Sequence, residues 1–421
     1  MRRYESYKDS GVEWLGEVPS HWELGRISTY FTERRTKVSD KDYPALSVTK
    51  LGVFPQWENV AKTNDGDNRK LARKGDFVIN SRSDRKGSSG IAKQDGSVSL
   101  INIVLQPKKI NSVYSEYLFK SYSFIEEFYR VGHGIVADLW TTRFEDIKNS
   151  LIIFPPLSEQ QKIAQFLDDK TAKIDQAVDL AEKQIALLKE HKQILIQNAV
   201  TRGLNPDVPL KDSGVEWIGQ VPEHWEVVSM KRVIKEHSGN GFPIDLQGNN
   251  GSIPFLKVSD FSENQDKYIF KWNNSVTNKV IKQKKWNIVP KNSIVTAKIG
   301  EALRKNHRKI LSIDSIIDNN CLGIEIKKAD VLFGYYLHCA LDFDLFTNPG
   351  AIPSLAMDKY RNQKIALPPF QEQQQITDYL DAQTAKIDQA IALKTAHIEK
   401  LKEYKNVLIN DVVTGKVRVS V

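Results

Sequence analysis

Asp314, Glu325 and Lys327 stand in the order D-x10-E-x-K, a spacing from which a nuclease centre can be imagined. The same letters describe a strand whose charges alternate about Ile326, and so short a match has little force without structural context. The eight histidines show no metal-ligand spacing. His21 and His224 recur in a repeated HWE tripeptide, which suits a structural role better than a catalytic one. No GxxxxGK(S/T) loop is present, so nucleotide is not bound in the P-loop manner. The two cysteines, Cys321 and Cys339, can build neither a disulfide framework nor a CxxC cluster, and read as buried thiols of a reducing compartment.

FPPL at 154–157 and LPPF at 367–370 carry the paired prolines of the amino-methyltransferase tetrapeptide. Phe154 and Leu367 stand where that motif needs Asn or Asp, and no glycine-rich methyl-donor loop follows a strand. The residues left to carry function are basic and lie in loops. SRSDRKGSSG (81–90) offers Arg82, Arg85, Lys86 and Ser88; GEALRKNHRK (300–309), preceded by Lys298, offers Arg304, Lys305 and Arg308. Such side chains reach phosphates or a guanine edge, or else decorate a solvated hairpin tip. A second loop in the first half holds Gly132-His133-Gly134 and Trp140-Thr141-Thr142-Arg143, with His133, Thr141 and Arg143 as candidates; His133 alone reads equally well as a surface histidine. Asn348-Pro349-Gly350 makes the corresponding turn in the second half.

Similar elements present both sets of loops. Lys74-Gly75-Asp76 leads into FVIN, and Lys291-Asn292-Ser293 into IVTAKI; each apolar strand is followed by its basic loop. SVSLINIVLQPKK (97–109) and IIDNNCLGIEIKK (316–328) come next, strands ending in paired lysines. The order recurs while the loop letters change, as expected of one scaffold carrying two specificities. Segments 24–150 and 227–367 each hold 21 Lys/Arg, against 15 and 13 Asp/Glu, for net charges of +6 and +8. The rest of the chain holds 18 basic and 24 acidic residues, net −6. A polyanion would therefore meet the divergent segments; scatter of solvated surface charge is the plainer alternative.

What surrounds those segments is repeated. DSGVEWLGEVPSHWE (9–23) returns as DSGVEWIGQVPEHWE (212–226), and PPLSEQQKIAQFLDDKTAKIDQA (155–177) as PPFQEQQQITDYLDAQTAKIDQA (368–390). A period above 200 residues is too long for a solenoid and fits a duplicated domain pair. The second repeat reads as a long helix, with Ser158 and Gln161 forming a capping box in the first copy. Apolar residues then alternate at fours and threes: Leu167, Thr171, Ile174, Val178, Ala181, Ile185, Leu188, Lys192, Leu195, Ala199, and again 213 residues later from Leu380 to Val412. This is a coiled-coil seam, with Lys192 and Lys405 interrupting it in the same register. Each helix has about 40 residues and a length of roughly 60 Å. Two such apolar stripes in one chain predict an antiparallel pair; two separate amphipathic helices packed on their own domains are the alternative.

The duplicated basic variable segments, the SGVEW-GxVPxHWE entry, the PP-x2-EQ-x2-I helix start and the closing TGKV (414–417) resemble the specificity subunit of type I restriction-modification enzymes over nearly the whole chain. The resemblance implies an α+β fold: two similar mixed α/β target-recognition domains separated by two long helices, with a pseudo-two-fold internal repeat. The expected boundaries are 1–153 for the first domain (lead-in 8–24), 154–206 for the first helix, 207–366 for the second domain (lead-in 211–227) and 367–421 for the second helix and tail. Each domain would read one half of a bipartite double-stranded DNA target, and the helices would set the spacer and dock two methyltransferase subunits, with restriction/translocase subunits beyond. No cofactor is expected on this chain; S-adenosylmethionine, ATP and Mg belong to the partner subunits. Trp14, Trp22, Trp217 and Trp225 become scaffold anchors. The start MRRYESYKDSGVEW lacks a signal peptide's apolar run, and no stretch of ~18 apolar residues occurs, so a cytoplasmic, membrane-free, non-catalytic subunit is expected. Three other classes stand beside it: a stand-alone DNA-binding protein, which would need no partner; a structural scaffold, which leaves the basic segments unexplained; and a single-chain methyltransferase-nuclease, which the missing donor loop opposes.

Overall fold

The computed structural model describes residues 2–56, 66–135, 140–264, 266–348, 350 and 352–419. The chain divides into two compact units, Met1–Glu182 with Thr395–Val421, and Lys183–Lys394. The C-terminal segment thus belongs to the first unit, where Arg2 and Arg418 form a β-bridge.

In the first unit, strands β1 (Glu23–Arg26) and β6 (Leu151–Phe154) pair antiparallel, while β2 (Phe31–Glu33), β3 (Phe77–Asn80), β4 (Ser89–Ile91) and β5 (Asn102–Pro107) form a sheet in the order β4-β3-β5-β2. In the second, β7 (Glu226–Ser229) pairs with β12 (Lys364–Leu367). There β8 (Ile234–Ser238), β9 (Ile294–Ala297), β10 (Lys309–Leu311) and β11 (Cys321–Ile326) run in the order β8-β11-β9-β10, with Tyr268–Ile269 added at the edge. The expectation of one scaffold used twice holds for these four strands, which follow one order in both units. The central strands β3 and β9 are buried on both faces through Phe77, Val78 and Ile79, and through Ile294, Val295 and Ala297. Continuous β-branched and aromatic runs suit that position. The turn into each needs a left-handed residue, supplied by Gly75 (φ 92°) and by Asn292 (φ 65°).

The long helices span Leu157–Arg202 and Phe370–Val413. Within the first unit, the first half of one and the last part of the other share a core: Ile163, Leu167 and Ile174 cluster with Leu408, Val412 and Val413. Lys405 Nζ meets both Asp175 oxygens there at 2.7 and 2.6 Å. Within the second unit, Lys192 Nζ meets Asp388 at 2.7 and 2.6 Å. The two lysines that interrupt the seam each take the aspartate of the partner helix's TAKIDQA, so in each unit the helices run antiparallel. The capping box does not form. The first helix begins at Leu157, Ser158 is an exposed residue inside it, and the Glu159 and Gln160 amides donate to the Pro156 carbonyl at 2.8 and 2.9 Å. Pro156 stands where Ser158 was expected, because a carbonyl placed by the proline pair already takes the first free N–H groups.

The Glu-Gln of each helix start has another use. Glu159 accepts from Tyr4 Oη (2.6 Å) and Trp22 Nε1 (3.2 Å) and contacts His21 Nε2 (2.9 Å). Glu372 likewise takes Trp225 Nε1 (2.9 Å) and His224 Nε2 (2.6 Å). Gln160 accepts the Asn111 amide at 2.9 Å and donates to the Pro155 carbonyl at 2.8 Å; Gln373 does the same with Asp330 and Pro368 at 2.7 and 2.8 Å. Asn111 and Asp330 cap the short helices Ser112–Lys120 and Val331–Ala340, and these rest on the long helices through Tyr117, bonded to Asp168 and Thr171, and Tyr336, bonded to Asp381 and Thr384. At the far end, Gly415 (φ 76°) closes one long helix against Trp22, and Gly203 (φ 77°) the other against Trp225. The repeated letters are therefore the contacts that fasten each variable domain to a helix pair.

Candidate nucleic-acid interface

In the first unit the chain leaving β3 joins two other segments in a small ribbon. The Thr142 amide donates to the Ser81 carbonyl at 2.9 Å, and the Ser83 amide to the Trp140 carbonyl at 2.9 Å. His133 and Thr141 exchange both backbone bonds, at 3.2 and 2.9 Å. Arg82 lies opposite Thr141, which lies opposite His133. The ribbon thus brings Arg82 of the first candidate loop together with His133 and Thr141 of the second. Arg82 Nε rests on Asp84 at 2.9 Å, and the exposed His133 ring contacts Asp146 at 3.0 Å. Arg85 is exposed, with Asp84 3.8 Å away, and Lys86 is bonded to Glu126 at 2.6 Å. Arg143 is exposed and, with Thr141, lines a cleft of about 510 Å³ that also has Arg35, Lys37 and Lys70 in its wall. Arg35 is held by Glu33 (2.5 Å) and Glu145 (2.9 Å), and Lys70 by Glu33 (3.1 Å), whereas Lys37 and Arg143 have no ion pair among the described residues.

The second unit builds a matching ribbon. The Leu355 amide donates to the Lys298 carbonyl at 2.8 Å, and the Gly300 amide to the Pro353 carbonyl at 2.7 Å. Ile299 lies opposite Ser354, and Asn348 opposite Ser354 on the other side. Asn348 is exposed; its neighbour Pro349 lies outside the described residues. Arg304 and Lys305 are exposed at the end of the short helix Glu301–Arg304, with Arg304 3.3 Å from Glu301 and 3.9 Å from Asp344.

Two candidates are corrected. Arg308 is 4 % exposed; its guanidinium lies 3.7 Å over the Phe343 ring and donates to Thr296 Oγ1, Asn306 Oδ1 and the carbonyls of His307 and Leu341. Burial without a carboxylate partner holds its pKa down at about 10. It is a core cation that ties β9 to the Phe343 turn, and no DNA phosphate can reach it. Ser88 is 5 % exposed and closes the turn after Arg85, its amide donating to the Arg85 carbonyl and its carbonyl accepting from Asn80, both at 2.9 Å. Basic letters in a loop carry no signal that separates an inward arginine from an outward one. Ile299 and Ser354 stand in the second ribbon by strand register alone, since neither is of a residue type that suggests nucleic acid.

The nuclease-like triad disperses. Asp314 accepts the Lys291 amide at 2.8 Å, while Glu325 is bonded to His237 (2.9 Å) and Lys327 (2.6 Å), which lowers its pKa through those bonds. Among the described residues, no group of three or more His, Cys, Asp or Glu side chains is placed to hold a metal ion. No helix among them is long and apolar enough to cross a membrane.

Comparison with known proteins agrees with this duplicated plan. The family described as "Type I restriction modification DNA specificity domain" matches residues 20–189 and again 222–403. The chain belongs to that family. The specificity family's two matches each run from a lead-in, through a variable domain, into a long helix. Among curated relatives, the chain is 26 % identical over 426 residues to the "Type I restriction enzyme MjaVIII specificity subunit" of Methanocaldococcus jannaschii, covering 96 % of this chain and 94 % of that one. Two solved structures share the fold. One, from work on complex assembly and conformational transition of the type I R-M system, superposes with a TM-score of 0.70 at 15 % identity, covering 95 % and 99 % of the two chains. The other, the HsdS subunit of Thermoanaerobacter tengcongensis, gives 0.52 at 16 % identity, covering 95 % and 98 %. The duplicated α+β architecture of the specificity family is thus the fold of this chain.

Proposed function

We propose that this chain is the DNA-recognition subunit of a type I restriction-modification complex, in which each unit's variable domain reads one half of a bipartite target. The observation that carries this reading is the twin ribbon: two domains with one strand order, fastened by the same Glu-Gln and tryptophan contacts, present unlike side chains at the same place. The excess of positive charge in segments 24–150 and 227–367 supports a polyanionic ligand for both.

The long helices take the remaining roles of docking methyltransferase subunits and setting the base pairs between half-sites. Outward-facing apolar residues recur at equivalent positions of the two helices, Leu157 and Phe370, Leu180 and Leu393, Ile194 and Val407, all exposed outside the seam. Exposed apolar positions shared by both repeats support a partner surface presented twice. The chain contributes no chemistry in this reading; methyl donor, ATP and Mg act on partner subunits, and DNA recognition needs none of them here.

The test is co-purification from the native cell followed by DNA binding across salt. A methyltransferase subunit accompanies the chain, and the log affinity of the complex falls linearly with log salt as condensed counterions are released. A chain that purifies alone and binds one site tightly would favour the stand-alone regulator. Binding that stays flat from low to physiological salt would oppose DNA recognition by the basic segments.

A further inference from the structure

The two ribbons match in the pair of backbone bonds that joins each to the chain leaving the central strand. The bond from Thr142 N to Ser81 O corresponds to that from Leu355 N to Lys298 O, and Ser83 N to Trp140 O corresponds to Gly300 N to Pro353 O. The sheet registers agree, since Leu105 faces Phe77 on β3 as Ile324 faces Ile294 on β9. Position 82 in the first unit is therefore 299 in the second, 141 is 354, and 133 is 348. Directly opposed residues of antiparallel segments project to the same side. Arg82, Thr141 and His133 share one face, and Ile299, Ser354 and Asn348 share the equivalent face.

The alternate residues identify which face is inward. Ser81, Thr142 and Leu355 are buried and Lys298 is half-buried, whereas His133 and Asn348 are exposed and Arg82, Thr141, Ile299 and Ser354 are partly so. The outward face is held by backbone bonds, so its side chains can change without disturbing the fold. Scaffold identity with side-chain difference is what a pair of readers with separate targets requires.

We infer that this outward trio sets the base preference of each domain: Arg82, His133 and Thr141 in the first, Ile299, Asn348 and Ser354 in the second. The inference rests on the proposed role in DNA recognition. The chemistry differs between the two. Arg82, with its Nε 2.9 Å from Asp84, carries the guanidinium donors that match the O6 and N7 of a guanine. Asn348 offers the acceptor and donor that match N6 and N7 of an adenine, and Ile299 an apolar surface for a thymine methyl. The first half-site then includes a G·C pair read by Arg82, and the second an A·T pair read by Asn348.

The test uses the full chain in complex with its methyltransferase, with methylated sites mapped genome-wide. Converting the first trio to the second by Arg82→Ile, His133→Asn and Thr141→Ser changes or relaxes the first half-site and leaves the second half-site intact. Discrimination against the wrong base at the Arg82 position drops by about tenfold or more. Asn348→Asp alone is the milder variant: losing the amide donor and keeping acceptors moves one base pair of the second half-site from adenine towards cytosine. Thermal melting at the wild-type temperature shows that each variant is folded. Folded variants that methylate the original site at the wild-type rate would overturn the assignment and leave DNA recognition by the domains standing. A wild-type complex with no sequence-specific methylation at all would overturn both.

Discussion

Glu372→Ala tests the fastening of the second domain, and its cost can be worked from the contacts. Trp225 is 1 % exposed and its indole N–H has Glu372 as acceptor at 2.9 Å. Removing the carboxylate leaves that donor buried and unpaired, which costs about 1–3 kcal/mol. The second contact, His224 at 2.6 Å, joins side chains that are 44 % and 34 % exposed, so it adds below ~1 kcal/mol after solvent screening. With the first cost taken at the middle of its range, about 2 kcal/mol, the expected total is about 2–3 kcal/mol. Glu372→Gln keeps a carbonyl acceptor for the indole and should cost below ~1 kcal/mol. A chain with two compact units does not unfold as one transition, so the assay is native-state hydrogen exchange resolved by peptide. Sub-global opening of Lys183–Lys394 speeds up roughly 30- to 150-fold in the alanine variant at a tenfold per ~1.4 kcal/mol. Glu159→Ala does the same to the first unit and leaves the second unchanged. Exchange in the alanine variant within about twofold of wild type would refute the claim that this carboxylate, rather than apolar packing alone, seats the tryptophan.

His338 makes the second unit acid-sensitive. It is fully buried, with Nδ1 2.6 Å from the Gly334 carbonyl and Nε2 2.8 Å from Tyr360 Oη, and burial together with the nearby Arg308 pushes its pKa down to about 4. The unfolded chain binds that proton near pH 6.5, so the contribution is intact above pH 6.5 and is lost as pH falls from there towards 4, roughly 3 kcal/mol in all. Denaturant midpoints measured from pH 7 to 4.5 should fall less steeply in His338→Gln than in wild type; parallel curves would contradict the burial argument. The correction of Arg308 has its own readout: Arg143→Ala should lower the slope of log affinity against log salt by about 1, whereas Arg308→Met should leave it unaltered. A reduced slope in folded Arg308→Met would return that residue to the DNA surface.

Much of this architecture is legible in the letters because the chain states it twice. The seam from Leu167 to Ala199 is buried or half-buried at every position, and Lys192 and Lys405, which interrupt it in the same register, each reach an aspartate of the other helix. Of the lead-in tryptophans, Trp22 and Trp225 are buried anchors, whereas Trp14 and Trp217 are half-buried against the same cores. The Glu-Gln pairs were legible as a motif but not as contacts, since the tryptophans bound by the glutamates lie 137 and 147 residues earlier in the chain and the amides bound by the glutamines 49 and 43 earlier. At the candidate interface, composition located the loops and failed on orientation. Arg308 and Arg304 are four residues apart in one basic run, yet one is stacked on Phe343 and the other is exposed. Ile299 and Ser354 became visible only through strand register, which depends on pairings between distant segments.

The most direct measurement is an exchange of residues 24–150 for the equivalent segment of another member of the family, followed by genome-wide mapping of methylated sites in cells carrying the hybrid complex. The account predicts that one half of the target changes, while the other half and the number of base pairs between them stay as in wild type. A hybrid that assembles with its methyltransferase and changes both halves together, or neither, would contradict it.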